Sequence, residues 1–107
     1  MIELKGCSGK VYKFEGPYKS PDSLEDKSGV YVILCYKNGK YYVIDVGESR
    51  EVRDRVSNHE RVDCWEKHCE NGILMVAVLY TYYGKKPSRM DIEQDIRCYY
   101  TLPCGEK

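Results

Sequence analysis

The stretch GVYVILCYKNGKYYVIDVG, residues 29–47, decides the fold that we predict for this chain. β-branched and aromatic residues dominate both of its halves, and Asn38-Gly39 lies between them. Asn-Gly is the strongest short signal for a tight β-hairpin, because both central residues of that turn need a positive φ. We therefore predict two antiparallel strands, Gly29–Tyr36 and Tyr41–Gly47.

The segments on either side of this hairpin predict a small α/β (α+β) domain. Ser88 and Asp91 have the spacing of a helix capping box, and Ile92, Ile96 and Tyr99 follow on one helical face. The predicted elements are an N-terminal hairpin (2–5 and 10–15), a loop (16–28), a helix (49 to about 59), a short helix (63–70), a strand (73–82) and a last helix (88 to about 99). We expect a small antiparallel sheet flanked by helices, with a β-β-α-β-α core and an extra N-terminal hairpin. The whole chain, residues 1–107, is predicted to be one domain with its core at about 29–105.

Composition sets limits on location and partners. The chain has 107 residues, with 17 basic and 17 acidic residues and a formal net charge of zero. A neutral chain lacks the basic surplus of a nonspecific nucleic-acid binder, so contact with DNA requires a local patch. No apolar run approaches the length of a membrane span, and Met1–Lys10 lacks the apolar centre of a signal peptide. We predict a cytoplasmic protein that does not bind membranes.

The six cysteines are predicted to be reduced. Several lie in apolar runs, as Cys35 does, and buried thiols are typical of proteins without an export signal. Cys64 and His68 have the i, i+4 spacing of two metal ligands on a helix, but the chain has no C-x-x-C pair. We therefore consider a zinc site unlikely and separately placed thiols the better interpretation.

The order and spacing of several short motifs resemble the GIY-YIG endonuclease family. The first motif is Gly29-Val30-Tyr31, and the second is represented by Asp45-Val46-Gly47 at the end of the returning strand. The chain is similar in this respect to the N-terminal nuclease domain of the bacterial excision-repair enzyme. The residues that match the family's functional positions are Tyr31, Arg55, His59 and Glu93, with Gly29 and Gly47 as structural motif residues. Gly29 is expected to admit a close neighbour, and Gly47 to make a strand-to-helix turn.

This resemblance implies a divalent-metal-dependent endonuclease that hydrolyses DNA phosphodiester bonds. By the family pattern, Glu93 would hold one Mg²⁺ or Mn²⁺ ion, and Arg55 would neutralise the phosphate. Tyr31 would act as a general base or orient the water, for which its pKa must be lowered. His59 would carry an acid–base role.

Arg50 and Arg53 are predicted to contact the nucleic acid. A chain this short has no separate recognition domain, so specificity would come from a partner protein, a homodimer or the structure of the DNA.

Two departures from the family pattern leave alternatives open. Asp45 stands where the family has its second tyrosine, and Pro103-Cys104-Gly105 lacks the asparagine that often follows the proline. We hypothesise that Asp45 replaces the tyrosine, as a second metal ligand or as a base. The main alternative is a catalytically degenerate module of the same fold that binds nucleic acid or protein. A weaker third hypothesis is a zinc or redox protein built on the cysteines.

Overall fold

Five antiparallel strands and three helices make up the computed structural model, which describes residues 1–105. The strands are β1 (Ile2–Lys5), β2 (Val11–Tyr18), β3 (Gly29–Lys37), β4 (Lys40–Ser49) and β5 (Ile73–Tyr80). The helices are α1 (Val52–Ser57), α2 (Val62–Lys67) and α3 (Arg89–Tyr99), with a 3₁₀ turn at Pro21–Ser23. The predicted fold class is confirmed. Residues 106 and 107, which the single-domain prediction includes, lie outside the described residues.

The β3–β4 hairpin forms where the sequence predicts it. Asn38 and Gly39 have φ values of 55° and 76°, as the tight turn requires. β3 lies between β4 and β5 in the sheet order β1-β2-β5-β3-β4. Its residues from Gly29 to Cys35 are all buried, because helices cover both faces of this central strand. This position explains why the sequence of β3 is a continuous apolar run and does not alternate between apolar and polar residues.

The N-terminal hairpin is part of the same sheet. β2 pairs with β1 on one side and with β5 on the other, through Glu15↔Val78 and Tyr18↔Val76. β2 therefore extends three residues into the segment predicted as a loop, which places its last residues against β5 and leaves β4 as the far edge of the sheet.

The helices pack on opposite faces of the sheet and so approach the β4 edge from two sides. Val52 and Val56 of α1 and Trp65 of α2 pack in one core with Tyr31. α3 begins with the predicted capping box between Ser88 and Asp91, and it buries Ile92 and Ile96 against the other face. Trp65 attaches α2 to the sheet.

One residue of α3 is not where the helical pattern places it. Tyr99 is 50% exposed, and the neighbouring Tyr100 packs on the core in its place. The helix ends at Tyr99 with Tyr100 in extended backbone. The turn away from helical geometry brings the second tyrosine inward.

The prediction of reduced cysteines is wrong. Three disulfides join all six: Cys7–Cys98, Cys35–Cys69 and Cys64–Cys104, with sequence separations of 91, 34 and 40. They tie the β1–β2 loop to α3, β3 to the end of α2, and α2 to the C-terminal segment. Cross-links over such long loops are expected to stabilise a small domain by roughly 2–4 kcal/mol each.

The cytoplasmic location stays a prediction. Disulfides are typical of secreted proteins, yet intracellular proteins of hyperthermophiles also contain them. Within residues 1–105, no helix has the length and apolar character needed to span a membrane.

Candidate functional site

A polar cleft lies at the free edge of β4, between the α1–α2 segment on one side and α3 on the other. Its volume is about 460 Å³. The residues that line it are Tyr31, Gly47, Glu48, Arg55, Arg61, Glu93, Gln94 and Arg97. The structure thus brings together three residues that the sequence pattern singled out, Tyr31, Arg55 and Glu93. We call this the arginine cleft.

Gly47 makes room for the Tyr31 side chain. The two residues are directly paired across β3 and β4, so their side-chain positions share one face of the sheet. A Cβ atom built on Gly47 would lie 2.2 Å from the Tyr31 hydroxyl oxygen. Gly47 lies inside β4 and not in the strand-to-helix turn expected for it. Its function is to let the Tyr31 ring cross the strand and reach the cleft.

Gly29, the other motif glycine, admits a close neighbour as predicted. A Cβ atom on Gly29 would lie 2.6 Å from the backbone oxygen of Leu79 on β5. Gly29 therefore allows β5 to pair closely along the start of β3.

His59 lies behind Tyr31 and does not line the arginine cleft. Its side chain is fully buried, next to Trp65, and its Nε2 is 2.9 Å from the Tyr31 hydroxyl. His59 Nδ1 accepts a hydrogen bond from the backbone N–H of Arg61 at 3.0 Å. Burial, followed by the charges of Arg55 and Arg61, lowers the pKa of His59, which favours the neutral ring. We therefore assign the proton to Nε2, which donates to the Tyr31 oxygen.

Tyr31 is a hydrogen-bond donor at neutral pH. The residue is 1% exposed, and this burial raises the pKa of its hydroxyl to about 12, although Arg55 acts in the opposite direction. The lowered pKa that a general base requires is absent. Because His59 already donates to the Tyr31 oxygen, the phenol proton is oriented toward an acceptor other than His59.

Arg55 is held by an acidic neighbour. Its Nη1 and Nη2 atoms donate to the two carboxylate oxygens of Glu60 at 2.6 and 2.9 Å. This two-point contact raises the pKa of Arg55 further and lowers the pKa of Glu60 to about 2. Glu60 thus occupies the geometry in which Arg55 would bind a phosphate.

Asp45 is a buried anchor. Its Oδ2 accepts hydrogen bonds from Arg61 Nε and from the Trp65 indole, both at 2.8 Å. Its Oδ1 accepts the Val46 backbone N–H at 2.8 Å, and Arg97 Nη1 lies 3.8 Å away. The carboxylate is fully buried and its oxygens face donors. In this arrangement Asp45 positions Arg61 and Arg97, and its hypothesised role as a metal ligand or as a base stays a prediction.

Arg61 and Arg97 were not predicted as cleft residues. Arg97 donates to the backbone oxygen of Val46 at 2.9 Å, which satisfies an outward-facing carbonyl of the edge strand. Arg97 lies four residues after Glu93 on α3, a spacing that places both on one helix face and was available from the sequence. Arg61 lies between α1 and α2, where no periodic pattern marks it.

Glu93 is the half-buried acid of the cleft. Burial raises its pKa, the neighbouring Glu48 and Asp45 raise it further, and Arg97 and Arg61 lower it. A carboxylate with a raised pKa is a better proton acceptor than an exposed one. Glu93 therefore lies as a proton-accepting carboxylate among the three arginines of the cleft.

The acidic residues of the cleft do not form a ligand set for Mg²⁺ or Mn²⁺. Glu48 accepts a hydrogen bond from Arg89 at 2.6 Å, and Asp45 is occupied as described above. Across residues 1–105, the one group of three closely placed metal-ligating side chains is elsewhere and contains no carboxylate. Hard divalent cations prefer oxygen ligands, whereas that group offers sulfur and nitrogen. The prediction of a Mg²⁺ or Mn²⁺ ion at Glu93 is therefore wrong.

That other group consists of Cys64, His68 and Cys104, whose ligand atoms lie within 4.8 Å of one another. Cys64 and Cys104 are joined in a disulfide. Zinc is bound by thiolates, and a disulfide offers none. The geometry of these three residues is explained by the cross-link.

The two arginines predicted to contact nucleic acid lie outside the arginine cleft. Arg53 is exposed on α1. Arg50, between β4 and α1, lines a second groove together with residues of the β5–α3 loop. The two arginines predicted to contact nucleic acid are thus separate from the cleft residues Tyr31, Arg55 and Glu93.

Comparison of the chain with models of protein families, with the sequences of curated proteins and with solved structures gave no match. The functional interpretation therefore depends on the residues of the chain and their geometry.

Proposed function

We propose that this protein is a GIY-YIG-like endonuclease that binds a DNA phosphodiester in the arginine cleft and hydrolyses it. The observation that carries the proposal is the convergence of Tyr31, Arg55 and Glu93. These residues come from a strand, a helix on one face of the sheet and a helix on the other face. Packing alone does not require three residues with the spacing of a nuclease motif to meet in one polar cleft.

The charges of the cleft suit a phosphodiester. Arg55, Arg61 and Arg97 line it together with two acids, Glu48 and Glu93. Arginine is suited to phosphate because its planar fork donates two parallel hydrogen bonds. Asp45 fixes Arg61 before substrate binds, so little conformational entropy is lost on binding.

The acid–base properties of Glu93 and Tyr31 suit hydrolysis by the chain's own side chains. Glu93 takes one proton from water as the water oxygen forms a bond to phosphorus. The bond from phosphorus to the leaving sugar oxygen breaks, and that oxygen takes the proton of Tyr31. The hydrogen bond from His59 Nε2 stabilises the phenolate left on Tyr31. Proton exchange with solvent restores both groups.

A second candidate function is binding without cleavage. The Arg55–Glu60 pair favours it, because the arginine that should contact the phosphate is already occupied. Asp45 in the second motif favours it too, since it replaces a reactive-site tyrosine with a buried structural acid. In this alternative the cleft recognises the DNA backbone and performs no chemistry.

The test is cleavage of labelled duplex, branched and single-stranded DNA by the wild type, Glu93→Gln and Arg55→Ala. Glu66→Gln and Lys67→Ala, both exposed on α2 and outside the cleft, are the matched controls. We expect each cleft variant to lose about 100-fold or more in rate, as for removal of an acid–base or oxyanion-stabilising group. Both controls should cleave like the wild type.

Reactions with and without a chelator show whether the side chains suffice. Cleavage that persists with chelator and disappears in Glu93→Gln supports the mechanism. Cleavage that both cleft variants retain would contradict the site. DNA binding that Arg55→Ala weakens, with no cleavage of any substrate, would assign the protein to the binding-only alternative.

A further inference from the structure

A second groove adjoins the arginine cleft and has a different character. Its volume is about 440 Å³, and it lies between the β4–α1 segment and the β5–α3 loop. Its lining includes four cationic residues and two tyrosines: Arg50, Lys85, Lys86, Arg89, Tyr82 and Tyr83. No acidic residue is among the lining residues. We call this the basic–aromatic groove.

The β5–α3 loop presents its two tyrosines to solvent. The Lys85 N–H donates to the Tyr82 carbonyl at 3.1 Å, which closes a turn, and Gly84 in that turn has a φ of 76°. Tyr82 is 72% exposed, and Tyr83 is fully exposed. Exposed aromatic side chains of this kind offer ring surface to a flat partner.

Three of the four cations of the groove are available to a ligand. Among residues 1–105, Arg50, Lys85 and Lys86 form no ion pair in the structure, and all three are exposed. This distinguishes them from Arg55 and Arg61, which are paired with acids.

The groove and the arginine cleft are neighbours. Arg89, which lines the groove, donates to Glu48, which lines the cleft, at 2.6 Å. One ion pair therefore stands between the two surfaces.

From these observations we propose that the basic–aromatic groove binds single-stranded DNA next to the phosphodiester held in the arginine cleft. That the bound strand runs from the groove toward the cleft rests on the proposed function. That the groove binds a single strand does not. Free cations attract the backbone, and exposed tyrosine rings stack on unpaired bases. The bases of a duplex already stack on both sides, so the tyrosines favour a single strand.

The test is the affinity of a labelled oligothymidylate of about ten nucleotides, a length that fits a single-strand site, by fluorescence anisotropy. The double variant Tyr82→Ala/Tyr83→Ala should bind roughly tenfold or more weakly, because each stacked base is worth about 1–3 kcal/mol. The matched control is Tyr41→Ala/Tyr42→Ala, which removes two exposed tyrosines from β4. The control should bind like the wild type.

Charge is tested separately from stacking. Lys85→Gln/Lys86→Gln should reduce the slope of log affinity against log salt by about 1.4, and Lys13→Gln/Lys40→Gln should leave it unchanged. Equal binding of duplex and single strand, with no effect of the tyrosine variant, would overturn the inference. So would failure of the wild type to bind.

The outcomes for the groove and for the proposed nuclease are distinguishable. Loss of binding in the tyrosine variant without any cleavage by the wild type would support the groove and contradict the nuclease. Cleavage by the wild type with unchanged binding in the tyrosine variant would do the reverse.

Discussion

The arginine cleft and the basic–aromatic groove both contain cationic side chains, but they hold them differently. In the cleft, Arg61 is bound to the buried Asp45, and Arg97 is bound to the backbone of Val46. In the groove, the exposed Lys85 and Lys86 carry their charges at the ends of flexible side chains. Fixed charges provide geometry, whereas free charges provide attraction and salt dependence. Under the proposed function, the cleft would orient one phosphodiester and the groove would retain the strand.

The largest expected effect follows from removing the anchor of the cleft. Both carboxylate oxygens of Asp45 accept hydrogen bonds, and Asp45→Asn keeps only one oxygen. The new amide N–H₂ is a donor, and it would face the donors of Arg61, Trp65 or Val46 with no hydrogen bond to make. Breaking a buried charged pair costs about 3–5 kcal/mol. We expect the free energy of unfolding, measured by denaturant titration, to fall by about that amount.

The exposed Asp63 of α2 provides the control for this prediction. Asp63→Asn should change the free energy of unfolding by about 0.5 kcal/mol or less. If Asp45→Asn behaves like this control, the cleft has no rigid anchor and its contrast with the groove disappears.

Tyr31 should make stability depend on alkaline pH. The folded protein keeps its phenol proton up to a pKa of about 12, while the unfolded chain loses it near the ordinary tyrosine pKa of 10.0. The native state then binds more protons in this window, so the free energy of unfolding falls as pH rises, by roughly 2–3 kcal/mol in all. Denaturant titrations of wild type and Tyr31→Phe from pH 9 to about 12 measure the difference. A parallel dependence in both proteins would contradict the burial of this hydroxyl.

Gly47→Ala should disturb the cleft while leaving the groove intact. The added methyl would overlap the Tyr31 hydroxyl, so the ring must move away from the cleft floor. Overpacking of this kind costs about 1–3 kcal/mol. We expect lower stability and lost cleavage, with oligothymidylate binding close to that of the wild type. Cleavage at the wild-type rate would mean that the position of Tyr31 is not needed.

Glu60→Gln should give the smallest effect and in the opposite direction. Glu60 competes with phosphate for Arg55, and its pKa of about 2 keeps it ionised throughout the neutral range. Releasing Arg55 should raise DNA affinity roughly two- to fivefold, the size expected for an exposed ion pair. Glu66→Gln, which makes the same charge change on α2, measures the general electrostatic contribution. An equal gain in both variants would show that Glu60 does not restrain Arg55.

Local patterns predicted the parts of the fold that local physics controls. The Asn38-Gly39 turn, the β3 strand and the α3 capping box depend on residues close together in the sequence, and all three were found. The meeting of Tyr31 with Glu93 was anticipated from the family resemblance. The periodic pattern of apolar residues does not predict that these two side chains meet.

The parts that the sequence did not predict depend on distant contacts. Asp45 finds its donors Arg61 and Trp65 in a segment 16–20 residues away, and no local rule links them. Six cysteines allow 15 complete pairings, and spacing alone does not choose among them. The pKa of Tyr31 was expected to fall and instead rises, because burial outweighs the nearby Arg55.

Binding of a phosphodiester in the arginine cleft can be observed by an NMR titration of the arginine Nε–H signals. The ligand is a thymidine dinucleotide, which carries a single phosphodiester. If the cleft holds the phosphodiester, the signals of Arg55, Arg61 and Arg97 shift together on saturation, while those of Arg50 and Arg53 stay in place. Shifts confined to Arg50, or no shift in the three cleft arginines, would contradict it.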